Sequence, residues 1–275
     1  MADEIGLTDP RFVHQVELER LFNKNQLIPR IRREFQDAKE FTAYMESCKI
    51  PVPFGLDLLV QMSLHKRASL TTLIGCLRHH FKDNQLTADM LLKAAEANLV
   101  DYDMQFKIFI VRFDISADVQ AELDRFQFPL PMVVEPMKVH NNRTTGYLTS
   151  GGSIILRQNH HNDDVCLDHI NRVNKIRFVI NPDTVRMVKN KWRNLDKPKE
   201  GETKEDFKKR KRAFEKYDRT AKDVIQLLLK EGNVFYLTHR YDKRGRIYCQ
   251  GYHVTYQGAP WNKAVIEFAD QEIIE

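Results

Sequence analysis

The sequence is poor in the features that most quickly identify an enzyme or an envelope protein. Its 275 residues hold four cysteines, Cys48, Cys76, Cys166 and Cys249, and no CxxC pair. That spacing offers no disulfide framework, so the cysteines read as reduced thiols of a cytosolic protein. No apolar run reaches the ~20 residues that a membrane helix needs. The opening Met1-Ala2-Asp3-Glu4 is acidic, which runs against a secretory or transit peptide. There is no Walker loop, nucleophile elbow or metalloprotease helix, and no close carboxylate pair in a catalytic setting. Repeats and low-complexity segments are absent. Glycine is sparse, and the one Gly-Gly pair, Gly151-Gly152, precedes an apolar run and not a helix. It therefore reads as a hairpin turn, since a phosphate loop needs a helix directly after its glycines.

What is present is a globular composition, with 42% hydrophobic and 29% charged residues, long enough for one large or two modest domains. The net charge of +5 is unevenly spread. Between Lys189 and Lys222 stand 14 Lys/Arg against 7 Asp/Glu. A charge concentrated in one segment points to a polyanion more than the total does, although a solvated helix face has the same composition.

The N-terminal third reads as helical. Asp9-Pro10 looks like a cap with proline at the first helical position. Leu18, Leu21, Phe22, Ile28, Ile31, Phe35 and Phe41 come next at near-helical spacing, with Pro29 expected to break the run. Shorter helices are expected over 56–64, 69–81 and 87–98, the last capped by Thr87. Lys107–Ile115 alternates like a strand, Ser116 caps a helix to Phe126, and Pro129, Pro131 and Pro136 mark extended chain. Residues 147–156 suggest a hairpin. The pattern turns helical again from Asp163, restarting at Asn181-Pro182. Thr203 and Asp206 resemble a capping box opening a long helix. Phe207, Phe214, Tyr217, Ala221, Val224 and Leu228 form one narrow apolar stripe along it, Lys and Arg fill its other faces, and Gly232 ends it. Strands are expected over 234–238, 245–256 and 264–268. The fold class is therefore α+β, mainly helical with small antiparallel β parts.

Two constellations suit phosphate chemistry. Asp242-Lys243-Arg244-Gly245-Arg246-Ile247-Tyr248 lies between strand-like runs. Glycine there lets the backbone approach a ligand, an arginine fork can hold phosphate oxygens bidentately, and Asp242 can orient one of the arginines. An ordinary hairpin turn with an ion pair has the same composition. Lys208-Lys209-Arg210-Lys211-Arg212 can neutralise several phosphates or simply keep the helix soluble. A third stretch, His160 to His169, holds every common zinc ligand type, but only Cys166 and His169 have a fitting spacing. It reads as a polar loop opening a helix, and no metal ligands are assigned to this chain.

Four blocks in order resemble the single-subunit DNA-dependent RNA polymerases of phages and mitochondria. Leu130-Pro131-Met132-Val133-Val134-Glu135-Pro136 with Gly146-Tyr147-Leu148 is similar to that family's "LPM…PP…G" stretch. Cys166 to Asn171, running to Val179-Ile180-Asn181, resembles the helix leading into its thumb. Asp242 to Tyr248 matches its "DxxGR" loop. Gln257-Gly258 with Ile266-Glu267-Phe268-Ala269 matches the segment on the C-terminal side of that loop. The likeness covers about half the chain, from Leu130 onward. Met137-Lys138 departs from a proline-tryptophan pair, and Ala259-Pro260 from a polar-Asp pair.

The resemblance implies an N-terminal domain over 1–162, a thumb over 163–232 and the start of a palm over 233–275. It implies that Asp242, Lys243, Arg244, Gly245, Arg246 and Tyr248 touch template and hybrid, with Arg246 and Asp242 as the key pair. Lys208, Lys209, Arg210, Lys211 and Arg212 on the thumb would hold the RNA–DNA hybrid by its backbone. The family's metal-holding palm aspartates lie downstream of the DxxGR loop. The resemblance therefore implies a non-catalytic small subunit, like that of the heterodimeric polymerases of N-four-like phages, acting in the cytoplasm of the host bacterium. A larger palm–fingers subunit would supply Mg²⁺ and catalysis, and this chain would need no cofactor of its own. No promoter-reading loop is evident, so promoter or single-strand-DNA accessory factors, or melted DNA, are expected. The competing reading is a stand-alone nucleic-acid-binding phage regulator that uses residues 189–222 and needs no partner.

Overall fold

In a computed structural model, residues 9–149, 152–156, 163, 165–192 and 195–272 are described. The first helix is α1 (Pro10–Leu21). The Asp9 carboxylate accepts from the Arg11 amide at 2.9 Å, and Pro10 takes the first position. A 3-10 turn, Lys24–Leu27, separates it from α2 (Ile28–Asp37). Pro29 opens this second helix and is not itself the break. The interruption precedes it, because a missing N–H is tolerated only in a helix's first turn. Then come α3 (Lys39–Ser47), α4 (Val52–His65), β1 (Arg67–Ser69), α5 (Leu70–Leu77), a 3-10 turn Arg78–His80, α6 (Asn84–Glu96), β2 (Asp101–Asp103), β3 (Ile108–Ile110) and α7 (Ala117–Phe126).

The caps obey side-chain chemistry. Ser69 and Ser116 cap α5 and α7, as the serine before each apolar run predicts. The expected Thr87 cap is corrected to Asp83, whose carboxylate accepts from the Leu86 amide at 2.7 Å. Thr87 sits one turn inside and donates to the Asp83 carbonyl. The expected long strand at 107–115 shrinks to β3, the centre of an antiparallel sheet ordered β1-β3-β2.

The remaining elements are α8 (Leu167–Asn174), β4 (Arg177–Ile180), α9 (Pro182–Met187), α10 (Lys204–Lys230), β5 (Val234–Tyr236), β6 (His239–Tyr241), β7 (Ile247–Cys249), α11 (Pro260–Ala264) and β8 (Ile266–Phe268). The helical reading of 163–181 missed β4, which is the centre of an antiparallel sheet ordered β5-β4-β8. β6 and β7 pair as a hairpin. Strand β6 was also missed, and the expected strand over 245–256 contracts to β7. The expected hairpin over 147–156 does not form among the described residues: Ile155 instead bridges Tyr241 of β6. Ser150 and Gly151 of its tip lie outside the described residues, as do the acidic Met1–Glu4 and His160–His161. About half of the residues are helical and every sheet is small and antiparallel, so the fold is α+β. No helix among the described residues is long and apolar enough to cross a membrane.

The chain divides into two compact units, Asn23–Gln127 and Met1–Phe22 with Phe128–Glu275. The first is built around α4, which is apolar on nearly every face: Phe54, Leu56, Leu58, Leu59, Val60, Met62 and Leu64 are all buried. Such a helix is stable only at the middle of its neighbours. Gly55 lets α3 come close, since a Cβ there would lie 2.5 Å from the Met45 sulfur.

The second unit contains all four sequence blocks, which converge. Met132 and Tyr236 exchange backbone hydrogen bonds at 2.9 and 2.8 Å, bringing the Leu130–Pro136 stretch onto β5. Val139, Ile154, Ile155, Ile170 and Tyr241 form one buried cluster, with Ile247 packed against it. The Tyr241 hydroxyl donates to the Cys166 carbonyl at 3.1 Å. Phe178 of β4 pairs with Phe268 of β8. Segments far apart in sequence thus make one frame beneath the β6–β7 hairpin.

Candidate nucleic-acid interface

The Asp242–Tyr248 turn closes the β6–β7 hairpin. The Asp242 amide donates to the Arg246 carbonyl at 2.9 Å, and the Gly245 amide to the Asp242 carbonyl at 3.0 Å. Gly245 has φ +73°, a left-handed conformation that costs a residue with a Cβ about 1 kcal/mol or more. The Asp242 carboxylate is the organiser. One oxygen accepts from the Arg244 and Arg246 amides at 2.8 and 3.0 Å. The other accepts from Nε and Nη2 of Arg244 at 2.9 and 2.7 Å, and from the Tyr248 hydroxyl at 3.4 Å. Burial works against the charge, but the Arg244 guanidinium and the two amides outweigh it and hold the carboxyl at about 2.

The expected Asp242–Arg246 pair therefore takes a different form. Asp242 engages Arg246 through the backbone only, and its side-chain partner is Arg244. The Arg246 guanidinium and the Lys243 ammonium are exposed, with no partner among the described residues. The turn fixes two arginines and aims one of them outward.

The basic helix divides in a similar way. The Thr203 hydroxyl caps α10, accepting from the Asp206 amide at 3.1 Å. Gly232, φ +92°, lies just past its end. Only the second half of α10 is buried, through Tyr217, Thr220, Ala221, Val224, Ile225 and Leu228. Phe207 and Phe214 of the expected stripe remain half-buried, so the first turns reach into solvent. There Lys208, Lys209, Lys211 and Arg212 are exposed. Arg210 differs: it grips Glu202 with two parallel hydrogen bonds at 2.9 and 2.7 Å and also donates to the Lys197 carbonyl. That pairing holds the Glu202 carboxyl at about 2. Arg210 braces the loop before the helix and is not presented like its neighbours. Lys211 lies over the Phe207 ring at 4.7 Å, and Lys209 is 3.8 Å from Asp206.

Helix and hairpin meet at a cavity of about 340 Å³, lined by Trp192, Tyr217, Tyr248, Tyr252, Gln257 and Asn262 among others. Gln257 stitches the wall, accepting from the Cys249 amide at 2.7 Å and donating to the Ile247 carbonyl at 3.0 Å. Sequence reading passed over these rings because they come from separate elements without a common spacing.

Behind the hairpin lie polar groups that the sequence also concealed. His239 is buried between Asn174 and Tyr256, with Nδ1 2.8 Å from the Asn174 Oδ1 and Nε2 2.7 Å from the Tyr256 hydroxyl. An amide oxygen only accepts, so Nδ1 carries the proton and Nε2 accepts from the tyrosine. Burial, aided by His169, lowers the His239 pKa to about 4. His253 is also buried at about 4, and neither of its ring nitrogens has a partner among the described residues. Arg240 is half-buried on β6 with no carboxylate partner among the described residues. With the Gln250 amide nitrogen facing the Thr238 hydroxyl, the Gln250 oxygen accepts from Arg240. Cys166 and His169 gather no metal-ligand set among the described residues; the Cys166 thiol instead donates to Asp168 at 3.0 Å.

No family model matches the chain. It is similar to a protein of Agaricus bitorquis described as a probable DNA-directed RNA polymerase, with 28% identity over 170 residues. The alignment covers 53% of this chain and 15% of that protein, so the chain spans a small part of its relative's length. The likeness supports a relationship to DNA-directed RNA polymerases.

Proposed function

We propose that this chain is the non-catalytic, nucleic-acid-gripping part of a DNA-directed RNA polymerase of the single-subunit type, working with a larger palm–fingers subunit. The observation that carries this reading is the Asp242 turn. A carboxylate locks Arg244 and two amides, glycine turns the backbone, and Arg246 and Lys243 project from a rigid tip. A guanidinium held that way can grip a phosphate bidentately without first losing much freedom. Convergence of the four resembling blocks around the hairpin supports it, as does the likeness to a polymerase.

In this reading α10 is the thumb, and Lys208, Lys209, Lys211 and Arg212 track the backbone of the RNA–DNA hybrid. Contacts of that kind carry no sequence information, as elongation through any sequence requires. Catalysis comes from two Mg²⁺ ions held by the partner. Glu267 and Asp270 are engaged by Asn181 and Arg177. Strand β8 pairs with β4, and its Phe268 is 63% exposed, which suits a neighbouring subunit at that edge. On this reading the setting is the cytoplasm of a phage-infected bacterium.

The test is binding of a labelled RNA–DNA hybrid across a salt series. Affinity should fall steeply with salt and be indifferent to sequence. Arg246→Ala should reduce the slope of log K against log salt by about 1. An unchanged slope, or binding that salt does not weaken, would remove the role given to the turn.

A further inference from the structure

The Asn23–Gln127 unit contains a side-chain cluster that the polymerase reading leaves unused. Asp57 on α4 faces the 3-10 turn after α5. One oxygen of its carboxylate accepts from the Arg32 guanidinium of α2. The other lies 2.8 Å from Nε2 of His80 and 3.7 Å from Nε2 of His79. The three candidate ligand atoms all lie within 4.8 Å of one another.

The hydrogen bonding orients the donors. Nδ1 of His79 lies 3.1 Å from the Cys76 carbonyl, which only accepts, so Nδ1 carries the proton in the neutral ring. Nε2 is then unprotonated and lies 3.7 Å from a carboxylate oxygen, a repulsive proximity unless a proton or cation lies between them. A histidine whose far nitrogen donates to a backbone carbonyl, beside a carboxylate whose far oxygen is held by another residue, is the usual support for a metal ligand. The His79 and His80 rings are 4.1 Å apart, and His80 also packs against the Phe54 edge at 5.7 Å, so both are held in place.

We propose that Asp57, His79 and His80 form a divalent transition-metal site that takes zinc. Two imidazole nitrogens and one carboxylate suit zinc and its neighbours and are poor donors for Mg²⁺. Tetrahedral zinc with bonds of ~2.0–2.1 Å separates its ligands by about 3.3 Å, between the two measured distances. His79 is 62% exposed, so water can complete the coordination. The site would tie α4 to the turn after α5. The nearby positive charge of Arg32 opposes the cation and keeps affinity moderate.

The full chain, free of any polyhistidine tag, is titrated with zinc chloride by calorimetry and melted with and without zinc. One equivalent should bind with a Kd of about 10 μM or tighter and raise Tm. Cobalt at the same site should give the visible absorption of a tetrahedral complex. His79→Ala removes an exposed ligand, so it should fold normally and weaken zinc at least tenfold; Asp57→Asn should do the same. Equal zinc affinity in wild type and His79→Ala, or no binding below about 100 μM, would overturn the site.

Discussion

The Asp242–Tyr248 turn and the Lys208–Arg212 run are both dense in cations, but they present charge differently. In the turn, a carboxylate engages Arg244, and two strands fix where Arg246 leaves the surface. In the helix, Glu202 engages Arg210, while four neighbours project from the turns of α10 into water. Each region uses one arginine as a brace. The rest are aimed from a rigid tip in one case and spread over a solvated face in the other. A count of basic residues therefore overstates what each region offers a phosphate chain, and it says nothing of how tightly a contact is positioned.

The largest expected effect separates the frame from the turn by acid. His239 and His253 are held neutral at about 4, so below the unfolded value near 6.5 the unfolded chain binds protons that the folded chain refuses. Stability is fully present above pH ~6.5 and should fall toward pH 4, by at most about 3 kcal/mol per histidine. The Asp242 pKa is also depressed but in a lower window, so its contribution is present above about 4 and is lost only as pH falls toward 2. A melting series from pH 7 to 4 should show the decline, flattened in His239→Gln. A flat profile for the wild type would mean that these histidines are not held neutral.

Next, Asp242→Ala should release two amides and Arg244 together. It should cost hybrid binding more than Arg246→Ala, which should lose about tenfold for one charged contact. If Asp242→Ala binds normally, the turn needs no organiser. Single alanine changes at Lys208, Lys209, Lys211 or Arg212 should each cost only about twofold in affinity and lower the salt slope slightly. Smallest of all, Arg210→Ala should leave hybrid affinity nearly unchanged and slightly lower Tm by freeing residues 197–203. An Arg210 effect as large as that of Arg246 would erase the distinction between the regions.

Much of this was legible in the sequence. The caps at Asp9, Ser116 and Thr203 could be read because a short polar side chain before a helix has one local job. The turn could be read because Asp, Gly and Arg fall within seven residues. The features that could not be read depend on distant partners. Strand β4 is four residues long between two helices and is defined by β5 and β8, so its own pattern is too short to reveal it. Arg210 matches its neighbours in sequence, and only the fold brings Glu202 back onto it. Asp57 lies more than twenty positions before His79 and His80, so no ligand spacing could signal their meeting.

The most direct test of the proposed non-catalytic, hybrid-gripping role is extension of an RNA primer on a pre-melted DNA template. The reactions contain the isolated chain, the chain with any larger protein recovered with it in equal amounts from its native host, and that pair carrying Arg246→Ala. The expected result is no extension by the chain alone, extension by the pair, and short, salt-sensitive products from the variant pair. Extension by the chain alone, or undiminished extension by the variant pair, would contradict it.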